Sequence, residues 1–276
     1  MTAIRSILLH ADAATRWDER LAYAAAFASA FDADLTTLFA VDSVWSEHPL
    51  AMTSPNAAAI VLQMQERRLQ EARDSYERAA KSISGRLHWK EAGFLQPERA
   101  LAQSAWAADL VILTQADPKA SVKTGTSRHL VESVVIDGGC PTLVVPYIGA
   151  RPATGETVLV AWKDTRESAQ AVRAAIPFLK RARQVILATW TEDDLPSVAA
   201  PDIAAYLRRH GVAVLPRPCG PASAQLGDAM LSLAADCSAD LLVMGCYGHS
   251  RARERVLGGA TRSILDSMTL PVLMAH

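Results

Sequence analysis

A chain of 276 residues, half of them apolar, has material for one large core or two ordinary ones. Its 28 basic and 29 acidic residues nearly cancel, and neither a Lys/Arg run nor an acidic tail occurs, which argues against a nucleic-acid-binding face. The opening MTAIRSILLHAD turns polar at Asp12, too early for the apolar core of a signal peptide. No apolar run approaches the roughly 18 residues of a membrane span. The four cysteines (Cys140, Cys219, Cys237, Cys246) form no CxxC pair, so they are expected to be reduced thiols in a cytoplasmic protein and not a zinc site.

In chain order, Ile4–His10 is a predicted strand. A helix follows from about Thr15, with Trp17, Leu21, Ala24, Ala28 and Phe31 at the spacing of one buried face. Leu35–Val41 is the second strand. A long helix runs over Ile60–Ile83, with Leu62, Leu69, Tyr76 and Ile83 expected to form the face that packs on a sheet. Leu87–Ala92 is a short third strand, where Trp89 reads as ordinary packing. Pro97 opens a helix at a position where its missing N–H is harmless. Leu110–Thr114 and Thr142–Val145 are the fourth and fifth strands. The second half reads Val158–Trp162, Gln184–Thr191, Val212–Pro216, Leu241–Met244 and Val272–Met274 as strands. Between them come helices over Arg166–Lys180, Pro201–His210, Ala222–Asp236 and Glu254–Met268.

That order is a repeat. IRSILLHAD answers ETVLVAWKD, AADLVILTQ (107–115) answers SADLLVMGC (238–246), and CPTLVVP (140–146) answers LPVLMAH (270–276). The segment PYIGARPATGE (146–156), with two prolines and two glycines, is the linker between them. Residues 1–150 and 151–276 are therefore expected to be two domains. Alternation of strand and helix makes each an open, mostly parallel α/β sheet covered on both faces, Rossmann-like in architecture. The apolar closing strands, Thr142–Val145 and Val272–Met274, invite pairing of the halves as a pseudo-dimer.

The fourth strand of the second half runs into GCYGHSRARERVLGGATRS (245–263), which holds Gly245, Gly248, Gly258 and Gly259. Ligands of open parallel sheets bind at the carboxyl ends of strands. Glycine permits close backbone approach, and a helix N-terminus offers free N–H groups to an anion. Gly258, Gly259, Ala260 and Thr261 can thus meet phosphate oxygens, with Tyr247, His249, Ser250 and Arg251 as further candidates. The alternative is a glycine-rich turn that only links strand to helix.

The spacing G-x-x-G-x9-G at Gly245, Gly248 and Gly258 resembles the nucleotide-binding signature of the universal stress protein family. The resemblance takes in the DLLVMG and LPVLM strands and extends over the chain as two tandem family domains. It implies five-stranded parallel sheets, ATP or a related adenine nucleotide at the glycine loop with or without Mg2+, pairing through the last strands, and no established reaction. The family usually has Ser or Thr where this chain has Gly259. It often has an Asp after the first strand. That position is Asp12 in the first half and Lys163, followed by Asp164, in the second. The first half has Thr114-Gln115-Ala116-Asp117 in place of the glycines, so it keeps the acid and loses the loop. Asp12 accordingly reads as a helix cap. Lys163 contacts a phosphate or is solvated. Trp162 and Trp190 either flank an adenine or fill the pocket.

No G-x-x-x-x-G-K-[ST] loop or G-x-S-x-G elbow is present, and no catalytic residue is assigned. A stress or regulatory nucleotide-binding protein is the leading reading. A nucleotide-free dimerisation or adaptor module and a slow ATPase are its rivals. A whole-chain homodimer is compatible with all three, no membrane or nucleic-acid partner is expected, and no protein client can be named.

Overall fold

The computed structural model describes residues 3–12, 17–42, 55–93, 95–117, 129–149, 155–191, 200–222, 225–246 and 259–276. The chain divides into two compact units, Met1–Leu113 with Asp117–Cys140, and Thr114–Ala116 with Pro141–His276. The first contains β1 (Ser6–Ala11), α1 (Trp17–Phe31), β2 (Asp34–Phe39), α2 (Pro55–Ala80), β3 (Leu87–Glu91), α3 (Pro97–Ala105), β4 (Leu110–Thr114, leaving the unit at its last residue) and α4 (Leu130–Asp137). Its strands run parallel in the order β3-β2-β1-β4.

The second unit contains β5 (Thr142–Val145), β6 (Thr157–Trp162), α5 (Arg166–Leu179), β7 (Gln184–Thr191), α6 (Ala200–Arg209), β8 (Leu215–Pro221), α7 (Leu226–Asp236), β9 (Leu241–Gly245), α8 (Gly259–Ser267) and β10 (Val272–Ala275). Its parallel strands follow the same permutation, β10-β9-β6-β7-β8. The closing strand of the first repeat, β5, lies in this unit and pairs antiparallel with β10, Val272 opposite Val144 and Leu273 opposite Leu143. The two closing strands therefore meet as expected.

Strands β5, β6 and β10 are buried at every residue, the pattern of strands covered on both faces. Side chains such as Leu159, Leu273 and Leu143 are fully buried, and each is worth about 1.5–3 kcal/mol relative to exposure. The repeated Ala-Asp-Leu has a specific cause. Asp109 accepts the main-chain N–H groups of Arg5 (2.8 Å) and Ser6 (3.0 Å) with one carboxylate oxygen. Asp240 accepts those of Gly155 (3.0 Å), Glu156 (3.0 Å) and Thr157 (3.1 Å). Each carboxylate thus ties the start of its unit's central strand to the strand beside it, through charge-assisted bonds stronger than neutral ones.

Two expectations need correction, and one helix, α4, has no predicted counterpart. The seven-residue series is buried at Tyr76 and half-buried at Leu69, while Leu62 is 47 % exposed and Val61 beside it is buried, so the packed stripe departs from the series at the start of α2. Helix α4 occupies a Val-rich stretch whose composition reads equally as strand; it packs Leu130, Val131, Val134 and Val135 inward. Strand β8 begins at Leu215 and not at Val212, and it contains Pro216, Pro218 and Pro221. Proline is tolerated in an edge strand, whose outer side needs no ladder donors, and β8 pairs only with β7.

Candidate functional site

Within the second unit the connections leave β6 toward β7 on one side and arrive from β9 on the other. This topological switch opens a crevice at the carboxyl ends of β6 and β9. Trp162 closes β6, 5 % exposed, and its indole N–H donates to the Asp164 carboxylate at 2.8 Å. The turn continues through Lys163, half-buried, whose carbonyl accepts from the Thr165 N–H at 2.7 Å. Thr165 then caps α5, its Oγ1 accepting from the Ser168 N–H at 3.2 Å, which satisfies one of the orphan donors of the first turn.

Gly245 ends β9 opposite Ala275 of β10. A β-carbon there would lie 2.4 Å from the Ser168 nitrogen and 2.5 Å from the Glu167 carbonyl carbon. Both distances are far inside contact, and both atoms are backbone, so the first turn of α5 can rest on β9 only because residue 245 is glycine. Gly245 therefore has a packing role independent of any ligand. The next residue, Cys246, donates its N–H to the Ala275 carbonyl at 3.0 Å, and its carbonyl accepts from His276 Nδ1 at 3.1 Å. Its thiol lies against the Ala275 oxygen, and burial pushes its pKa far up. A thiol of this kind is inert as a nucleophile; all four cysteines are free, as the expectation of reduced thiols has it.

Gly259 stands at the start of α8 and differs from Gly245. It is exposed, its φ lies outside the left-handed region, and no heavy atom of a described residue lies within 4 Å of where a β-carbon would be. Neither backbone conformation nor packing among the described residues calls for glycine here. Ala260 beside it is half-buried and Thr261 is buried. The helix is held by α7: a β-carbon on Gly227 would come within 2.7 Å of Ser263 Cβ and 2.8 Å of the Ala260 carbonyl oxygen. Ser263 Oγ also donates to Asp228. Gly227 is a positioning residue that the loop motif does not contain. Its signal in the sequence, a lone glycine inside a helical pattern, indicates close packing. Tyr247, Gly248, His249, Ser250, Arg251 and Gly258 lie outside the described residues.

Trp190 is 5 % exposed. The register sets Thr189 opposite Trp162, and side chains alternate along a strand, so Trp190 projects from the face opposite to Trp162. The two indoles share the strand ends but not one face of the crevice. Among the described residues, no group of three or more His, Cys, Asp or Glu is placed to hold a metal ion, and no helix is long and apolar enough to cross a membrane.

At the equivalent exit of β4, Gln115 is 3 % exposed. Its main-chain N–H donates to Val145 at 2.8 Å, as that of Cys246 does to Ala275. Its carboxamide donates to the Leu265 carbonyl of α8 at 2.8 Å and accepts from the Tyr147 N–H at 3.2 Å. Asp12, at the end of β1, forms an ion pair with Arg20, and both side chains are 10 % exposed. The expected cap it forms on its helix falls on residues 13–16, outside the described residues.

A scan against protein-family models finds no match, and neither does a search of curated proteins. Solved structures do match over the whole chain. A universal stress protein from Archaeoglobus fulgidus is 15 % identical, covers 98 % of this chain and 95 % of its own, and has a TM-score of 0.68. A protein described as a putative universal stress protein from Pseudomonas aeruginosa is 20 % identical, covers 99 % and 93 %, and has a TM-score of 0.57. At these identities the likeness establishes the fold.

Proposed function

We propose that this chain, which carries the fold of tandem universal stress proteins, is a cytoplasmic member of that family that binds ATP or a related adenine nucleotide in its second half and serves a regulatory role. The observation that carries the reading is the open space around Gly259. A glycine that neither its φ nor packing among the described residues requires sits at the exposed start of α8, where the segment from the carboxyl end of β9 arrives. There the first-turn N–H groups and the positive end of the helix dipole favour phosphate oxygens. In this reading Gly259, Ala260 and Thr261 present backbone donors. Gly248, Gly258 and the side chains of Tyr247, His249, Ser250 and Arg251 complete the loop. Lys163 and Asp164 form the rim beyond β6. Gly245 contributes by holding α5 against β9. An accompanying Mg2+ would be held largely by phosphate oxygens and water, the usual mode for that ion.

A second reading has a specific observation in its favour. Trp162 and Trp190 are each 5 % exposed, so neither offers an open ring face to an adenine, and a closed crevice suits a nucleotide-free adaptor. Mass spectrometry of small molecules released on denaturing the purified protein separates the readings. Intact nucleotide supports the proposal. Nucleotide with its hydrolysis product indicates a slow ATPase. No nucleotide, with none bound on adding ATP, transfers the lead to the adaptor.

A further inference from the structure

At the amino-terminal ends of their strands the two repeats carry opposite charge. In the first unit the turn from α1 to β2 holds Asp32 and Asp34. Asp32 pairs with Arg5 at 2.6 Å and with Arg86 at 3.3 Å, and Asp34 pairs with Arg86, so acid and base cancel. In the second unit the matching turn, from α5 to β7, holds Arg181 and Arg183. The main chain fixes the match. The Asp34 N–H donates to the Arg5 carbonyl at 2.8 Å, and the Arg183 N–H to the Glu156 carbonyl at 2.9 Å; Arg5 and Glu156 each stand just before the central strand of the unit.

The reversed sign extends beyond that turn. Lys180 is the C-cap of α5, and Arg208 and Arg209 form the last turn of α6. The register, Ile186 opposite Leu215, brings the α5–β7 and α6–β8 turns side by side, and right-handed crossovers put both helices on one face of the sheet. Lys180, Arg183, Arg208 and Arg209 are exposed, and none makes an ion pair or side-chain hydrogen bond with a described residue. Of the acids at this end, Asp240 is committed to three main-chain N–H groups. Asp236 ends α7, which crosses back from β8 to β9 on the opposite face. Residues 150–154, ahead of β6, include Arg151 and no acid. We infer that this end of the second unit is a docking surface for an acidic segment of a partner protein.

Helix dipoles favour cations at helix C-termini, but they do not select these residues: Asp32 stands in the corresponding place after α1, and Arg181 and Arg183 lie past α5. Guanidinium forks match carboxylate and phosphate alike, so the neighbours decide the partner. Leu215, 55 % exposed at the start of β8, offers an apolar contact that a peptide side chain fills and a phosphate backbone does not. Tyr206, the one ring of α6, is half-buried against His210 with centroids 4.4 Å apart, so it is no open platform for stacking a base. A single leucine is too little apolar surface to anchor the unit in a bilayer. The surface lies at the opposite end of the strands from the glycine loop and does not depend on a nucleotide there.

The test is fluorescence anisotropy of the full chain with a labelled glutamate octapeptide carrying one central leucine, and with its glutamine counterpart. The expected result is saturable binding of the acidic peptide only, unchanged by saturating ATP and weakened about tenfold between roughly 50 and 250 mM salt. The double variant Arg183→Glu, Arg208→Glu should weaken the peptide at least tenfold with Tm and ATP binding unchanged. Arg173→Glu, at an exposed cation in the middle of α5, should leave the affinity unaltered. Absence of peptide binding, equal affinity for the glutamine peptide, tighter binding of duplex DNA or of phosphatidylserine vesicles, or equal losses in the Arg173→Glu and double variants would overturn the assignment.

Discussion

The exits of β4 and β9 hold the same backbone role with different side chains. In both, the residue after the strand donates its N–H to the closing strand, Gln115 to Val145 at 2.8 Å and Cys246 to Ala275 at 3.0 Å. In the second half the strand then ends on Gly245, which lets a helix start press directly on the sheet. In the first half the same place is Thr114-Gln115, and the Gln115 carboxamide joins the Leu265 carbonyl of α8 to the Tyr147 N–H. One copy uses its fourth-strand exit to hold chain in place; the other leads from it toward an open helix N-terminus. The fourth-strand exit of the first half thus has a structural function of its own.

The comparison breaks most visibly at Gly245. Gly245→Val drives a side chain into the backbone of Glu167 and Ser168, and such overpacking is expected to cost about 3 kcal/mol, read as a lower urea midpoint. A variant as stable as wild type would show that α5 can retreat and that the glycine is there for a ligand alone. Next in size is Gln115→Leu, which strands a part-buried carbonyl and a part-buried N–H. A loss of about 1–3 kcal/mol is expected, with nucleotide binding retained. If that variant gained a second nucleotide site, the carboxamide would be a plug and not a tie.

His10 marks a further difference, because its counterpart in the second half is Ala161. It is buried, with Nε2 2.8 Å from the Ala40 oxygen, so Nε2 carries the proton of the neutral ring and donates it. Burial lowers its pKa below the ordinary 6.5. The unfolded chain therefore takes up a proton at higher pH than the folded one. The neutral ring's stability is complete above about pH 6.5 and is lost as pH falls through the lower folded value. Between about pH 7.5 and 5.5, wild type should lose more stability to urea than His10→Gln does; equal losses would mean the ring is not the titrating group. The smallest structural effect belongs to Gly259→Ser. With open space around it, stability should change by less than about 0.5 kcal/mol, while the added hydroxyl, at the place where the family usually has one, should raise ATP affinity several-fold.

Much of the architecture was legible because it rests on local pattern. The matched pairs IRSILLHAD and ETVLVAWKD, and AADLVILTQ and SADLLVMGC, foretell the repeated strand order, and Asp109 and Asp240 give the second match a cause. What escaped the sequence depends on tertiary context. Val212–Pro216 reads as strand, but the three prolines of β8 are admissible only once it is known to be an edge. Gly245 and Gly259 look equivalent within one motif, yet one is required by a helix it touches and the other by nothing among the described residues. Trp162 and Trp190 read as partners because they end neighbouring strands; only the register shows that they project from opposite faces.

Calorimetric titration of wild type with ATP tests the central asymmetry most directly. The account requires one nucleotide per chain, with affinity lost in Gly258→Val and kept in Gln115→Leu. Two equivalent sites per chain, or ATP binding unchanged by Gly258→Val, would contradict it.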